Sequence, residues 1–202
     1  MRKLTEPRIV LASHNKGKLL EISELLEPFG VSVVSAGDLG FEEPEETEDN
    51  FAGNARIKAH YAAQKSGLPA LSDDSGIEVD ALDLQPGVYT ADWAETGNGR
   101  DFFMAMGKVW EKLEERKASE PRTARFRCTL CLAWPNGDDE IFEGKVEGRL
   151  VWPVRGENGF GFDPMFMPAG HGQTFGEMEP GKKRAMSHRA DAFEKLIGCL
   201  RG

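Results

Sequence analysis

Two adjacent carboxylates, Asp73 and Asp74, are followed at once by Ser75 and Gly76. Like charges placed side by side repel, and the remedy is a cation between them or a raised pKa. Either remedy suits chemistry on phosphate. The flanks are a short apolar run, Pro69 to Leu71, and an alternating half-buried strand, Ile77 to Leu82. Ser-Asp-Asp-Ser-Gly between them predicts a turn. An acidic surface turn explains the same residues, so the rest of the chain has to decide between decoration and chemistry.

Three more stretches carry compatible chemistry. Ser13-His14-Asn15-Lys16-Gly17-Lys18 joins an apolar strand, residues 8–12, to a helix bearing Leu19, Ile22, Leu25, Leu26 and Phe29 at spacings of three and four. A strand, a polar Gly-containing loop and a helix together offer backbone N–H groups and a helix N-terminus to an anion. Lys16 and Lys18 add positive charge there. A plain capped connection fits the same residues, and the Walker pattern is absent. Further on, glycines flank Phe160 in Gly156 to Pro164 and leave a ring exposed to stack on something planar. Lys182 to Arg189 then gathers Lys and Arg side chains with His188.

The elements that position these groups follow from periodicity. Residues 31–35 predict a second strand. An acidic run from Glu42 to Asp49 reads as a solvated loop or helix start, and Asp49 or Asn50 can cap a helix over 51–66. Phe51, Ala55, Ala59, Ala62 and Ala63 form its narrow face, and Asn54 and Lys58 share a face one turn apart. An amphipathic helix is predicted over 100–117, and a strand through Phe126, Cys128, Leu130, Leu132 and Trp134. Pro135-Asn136-Gly137-Asp138 is a hairpin signal leading into 140–146. A last helix carries Phe193, Leu196 and Leu200. The order βαβαβ, then a helix, then strands, then a helix predicts an α/β protein with a mixed sheet.

At 202 residues the chain fits one domain with a sizeable core. Its net charge of −9 disfavours nucleic acid as a partner, which calls for a basic surface. No apolar run approaches the roughly 18–20 residues of a membrane span, and residues 9–12 are too short for a signal peptide core. A cytoplasmic location is the expectation. Three cysteines, an odd count, agree with it. Cys128 and Cys131 lie on opposite faces of a strand, which reads as core thiols rather than a metal site. His60 and His171 read as surface or capping residues.

Seven separated motifs, in order and across nearly the whole chain, resemble the inosine triphosphate pyrophosphatase family of Ham1-type enzymes acting on non-standard purine nucleotides. They are Ser13 to Lys18, Glu45-Glu46-Thr47, Asn54-Ala55 with Lys58-Ala59, Ser72 to Gly76, Pro86 to Tyr89, Phe160 to Pro164, and Ser187-His188-Arg189. The resemblance implies a single domain over 1–202, elongated and two-lobed, with the active site in a cleft between the lobes. It implies Mg²⁺-dependent hydrolysis of ITP, dITP and XTP to the monophosphate and pyrophosphate, and a homodimer. Carried over by motif, Asp74 is catalytic, and Glu45 and Asp74 face the metal. Ser13, His14, Asn15, Lys16, Gly17, Lys18, Ser75 and Lys183 contact the nucleotide, chiefly its phosphates. Phe160, Gly161, Phe162, Asp163, His188 and Arg189 surround the base. His14, Phe162 and Asp92 depart from the common pattern. A pyrophosphatase of other nucleotides and a non-catalytic nucleotide-binding regulator are the competing expectations.

Overall fold

The computed structural model describes residues 2–14 and 16–200, at 16, 17 and 21 by backbone alone. Seven strands form one mixed sheet. They are β1 (Arg8–Leu11), β2 (Ser32–Ser35), β3 (Ala70–Val79), β4 (Pro86–Gly87), β5 (Thr123–Ala133), β6 (Asp139–Leu150) and β7 (Phe166–Pro168). The order is β2-β1-β3-β5-β6-β7, with β4 added on β3. β1 pairs in parallel with β2 and β3, while β4 runs antiparallel to β3 and β7 antiparallel to β6. The expected mixed α/β sheet is therefore present.

The α-helices are α1 (Lys16–Leu26), α2 (Phe51–Ser66), α3 (Phe102–Glu115), α4 (Pro180–Met186) and α5 (His188–Leu200). Their ends follow local chemistry. Asn50 Oδ1 accepts the Gly53 N–H at 2.8 Å and starts α2, and Asp101 does the same for α3 from Met104 at 2.9 Å. Gly67, at φ +70°, takes the left-handed cap that closes α2. Among the described residues no helix is long and apolar enough to cross a membrane.

The chain divides into two compact units, each gathered from separate stretches. The first holds residues 1–74, 129–143 and 192–202; the second holds 75–128 and 144–191. In the first unit α2 lays Ala55, Ala59, Ala62 and Ala63 against Val10, Ala70, Cys131 and Ala133. Small side chains on both sides let the helix approach the strands closely. In the second unit α3 buries Ala105, Met106, Val109 and Leu113 among Ile77, Val79, Phe126, Phe166, Phe175 and Met178. All three cysteines are buried and in no disulfide, and burial pushes the Cys131 thiol up to about 12, which leaves it inert.

One expectation fails here. Asp73-Asp74 is no turn: both residues lie inside the ten-residue strand β3, and both are buried. The apolar run and the alternating segment on either side are one continuous strand. Turn-like composition is overridden because each carboxylate meets a lysine delivered by a helix.

Candidate active site

Successive residues of a strand point to opposite faces. Asp73 and Asp74 are therefore neighbours in sequence that look in different directions, which relieves much of their repulsion. Asp73 Oδ1 accepts from Lys18 Nζ of α1 at 2.7 Å. Asp74 Oδ1 accepts from Lys58 Nζ of α2 at 3.0 Å. Ser72 shares the face of Asp74, and its hydroxyl donates to the Ala55 carbonyl of α2 at 2.6 Å. That bond locks the helix carrying Lys58 against the strand carrying Asp74.

Lys58 is shared. Its ammonium also meets Glu46 Oε1 at 2.7 Å. Burial works against the charge on Lys58, but Asp74 and Glu46 outweigh it and raise its pKa. Asp74 is moved further. Burial pushes its carboxyl up to about 6, with Glu46 and Asp73 adding to the push and Lys58 opposing it. Its second oxygen, Oδ2, is buried and has no hydrogen-bond partner. A buried orphan acceptor is costly to keep, so its retention points to a job.

Glu46, Asp73 and Asp74 bring three carboxylates to the ammonium groups of Lys18 and Lys58. Among the described residues no three His, Cys, Asp or Glu side chains form a ready metal cage. Asp74 and Glu46 are carboxylates of the kind that bind a hard divalent cation one or two at a time, with water and phosphate oxygens in the remaining positions. Glu45 and its neighbours in the acidic segment are exposed. It is Glu46, rather than Glu45, that Lys58 ties to Asp74. Both Glu46 and Lys58 fall within the quoted motifs but outside the expected site residues; their partnership, from the acidic segment to α2, is visible only in three dimensions.

Among the phosphate-side residues, Ser13 and Lys18 are partly buried and His14 is exposed. The bulk of His14 is accommodated at Gly37, where an added Cβ would sit 3.4 Å from the His14 ring. Asn15 lies outside the described residues, as do the side chains of Lys16 and Gly17. The helix start at Lys16 follows β1 as expected.

The base-side residues belong to the second unit. Phe160 is 67% exposed, so the glycine-flanked ring does stand out. Lys183 Nζ lies 4.9 Å from its centroid and pairs with buried Asp163. Asp163 Oδ2 also accepts the Phe160 N–H at 2.8 Å. Burial pushes the Asp163 carboxyl up, against the pull of Lys183. Lys183 thus sits beside Phe160 and Asp163. Phe162 gives no stacking surface: it is fully buried and packs edge-on to Phe102, because the alternate ring of this loop faces the core. His188 is buried too, its ring stacked 5.0 Å from Phe126, with Arg189 buried beside it in sequence. Ser187 caps α5 through Ala190 N–H at 3.2 Å. Ser75 is partly buried on β3, and Gly161 takes φ +64° between the two rings. Asp92 is exposed at the start of a short 3-10 turn.

Fold and site define an α/β protein with buried acid–lysine pairs on a central strand and an exposed ring beside an ammonium group. The chain belongs to the Ham1 family, whose model matches residues 9–199. It is 63% identical to a relative from Ruegeria pomeroyi named dITP/XTP pyrophosphatase, over 96% of each chain. A relative of the same name from Agrobacterium fabrum is 58% identical over 99% of each. A solved Ham1 protein from Coxiella burnetii superposes with a TM-score of 0.90 at 38% identity, covering 96% of this chain and 98% of that one.

Proposed function

We propose that the protein hydrolyses ITP, dITP and XTP to the nucleoside monophosphate and pyrophosphate, with Mg²⁺ as the metal, and so clears deaminated purines from the nucleotide pool. The names of its close relatives support the substrate class. The observation that carries the chemistry is Asp74: a buried carboxylate near pKa 6, one oxygen held by Lys58 and the other without a partner.

Water attacks the α-phosphorus, the bond from that phosphorus to the α,β-bridging oxygen breaks, and pyrophosphate leaves. Asp74 Oδ2 takes the proton from the water. A carboxyl near 6 is a stronger base than an ordinary one yet mostly ionised at neutral pH, which is the range general-base catalysis favours. Lys58 keeps Asp74 oriented, and Lys18, on Asp73, stands ready to meet phosphate oxygens. Ser13 to Lys18 receive the phosphates at the start of α1. Asp74 with Glu45 or Glu46 would hold Mg²⁺, which would supply charge neutralisation on the leaving oxygens and a more acidic water.

The base is assigned to Phe160 for stacking, with Lys183, Arg189 and the loop around Asp163 as polar neighbours. Hypoxanthine and xanthine present a 6-keto acceptor to these donors; adenine presents an amino donor and leaves them unpaired. Mismatch of this kind supports discrimination on the order of 10⁴-fold. A homodimer of single-domain chains completes the proposal, by family resemblance.

Incubation with ITP, XTP, GTP, dATP and dTTP plus Mg²⁺, with pyrophosphate and orthophosphate measured separately, tests this reading. Pyrophosphate release favouring ITP and XTP is expected. Preference for standard or pyrimidine nucleotides, direct orthophosphate release, or no turnover would each sink it. Sedimentation at twice the chain mass is the expectation for the dimer.

A further inference from the structure

The buried face of α2 is almost entirely small and apolar, and Asn54 is the exception. Asn is a poorer helix former than the Ala residues around it, and it is 3% exposed. Such a violation of local preference calls for compensation. Its side-chain oxygen accepts the backbone N–H of Glu48 at 3.0 Å. The acidic segment that carries Glu45 and Glu46 is therefore pinned to the helix by a buried amide.

A second contact reinforces the first. A Cβ at Gly53 would lie 2.6 Å from both Cβ and Cγ of Glu48. These are near atoms of the side chain, so any larger residue at 53 displaces the segment itself. One turn further along, on the face of Asn54, Lys58 holds Glu46 and Asp74. The Ser72 hydroxyl bonds the Ala55 carbonyl and fixes that stretch of α2 to β3. A continuous set of contacts thus runs from the acidic segment through Asn54 and α2 to Asp74.

The carboxylates of the segment are exposed and have no burial of their own to hold them. We propose that Asn54, together with the bare Cα of Gly53, is a positioning residue that sets where Glu45 and Glu46 stand relative to Asp74 and thereby sets the affinity of the site for its divalent cation. The role rests on the Mg²⁺ reading given above. It differs from plain helix stabilisation, because the segment it orders carries Glu46, the carboxylate that Lys58 joins to Asp74.

Asn54→Ala and Gly53→Ala test it, since both substitutions raise helix propensity. Mn²⁺ uptake is read by electron paramagnetic resonance on protein saturated with the α,β-imido analogue of ITP. Wild type is expected to bind Mn²⁺, and both variants to bind it 10–100-fold more weakly, the usual cost of losing an outer-shell partner. The Mg²⁺ concentration giving half-maximal ITP turnover should rise by a similar factor, with turnover largely recovered at saturating Mg²⁺. Hydrogen exchange at the Glu48 amide should speed up in Asn54→Ala while the melting temperature holds. Should Asn54→Ala fail to fold, Gly53→Ala decides alone. Mn²⁺ affinity within twofold of wild type overturns the positioning role and leaves the Mg²⁺ reading intact. No Mn²⁺ uptake by wild type overturns the Mg²⁺ reading and the role with it.

Discussion

Asp74 combines burial, one charged partner and one orphan oxygen, and these make its titration a stability statement. Its carboxyl is raised from 3.8 to about 6 in the folded protein. Below the unfolded value the group is neutral in both states and costs nothing. As pH rises through 4 to 6 the unfolded chain ionises first, and stability falls. Above pH 6 the penalty is about 2–3 kcal/mol, at about 1.4 kcal/mol per pKa unit. Asp74→Asn removes the charge while keeping the shape. In metal-free protein at pH 8 it should therefore unfold at higher denaturant than wild type, with the gap closing by pH 4. The same variant should lose about 10²–10⁴-fold in turnover, the usual contribution of a general base. Lost activity with unchanged pH dependence of stability would contradict the assigned environment. Lys58→Met works in the opposite sense. It strands Asp74 and Glu46 together, and it should cost roughly 3 kcal/mol at neutral pH by urea denaturation.

At the scale of elements, the second unit ties the loop before β7 to the loop after it. A Cβ on Gly156 would lie 2.0 Å from the Gly176 carbonyl carbon, and Gly156 sits at φ +86°. Asn158 Nδ2 donates to the Met178 carbonyl at 3.0 Å, and Thr174 Oγ1 donates to the Arg155 carbonyl at 2.7 Å. These bonds connect the stretch bearing Phe160 to the one leading into α4 and Lys183. Gly156→Ala should lower stability by at least ~2 kcal/mol through clash and backbone strain. It should also raise KM for ITP more than it changes kcat, measured by steady-state kinetics below the melting transition; an unchanged KM would separate this contact from the base. Elements with local signals were legible in the sequence. Asn50, one of the two expected caps, starts α2, and alternation reveals β5. The Asp73-Asp74 strand was not legible, because Ser, Asp and Gly carry turn preference locally while Lys18 and Lys58, which make burial tolerable, lie 55 and 16 residues away. Glycine spacing likewise could not tell the exposed ring of Phe160 from the core ring of Phe162.

For the whole molecule, fold and family agree, and the site's logic is divided by chemistry. In the proposed reading, carboxylates and lysines of the first unit serve the phosphate reaction, and the Phe160–Asp163–Lys183 group of the second serves base recognition. The motifs made the residue types legible, but Glu46 and Asn54 acquire meaning only from what they touch. The central claim is that water enters at the α-phosphorus with Asp74 as its base. Turnover of ITP in water labelled with heavy oxygen, followed by mass spectrometry of both products, tests it most directly. The label is predicted in the monophosphate alone, with unlabelled pyrophosphate; label in pyrophosphate or in orthophosphate would contradict the account.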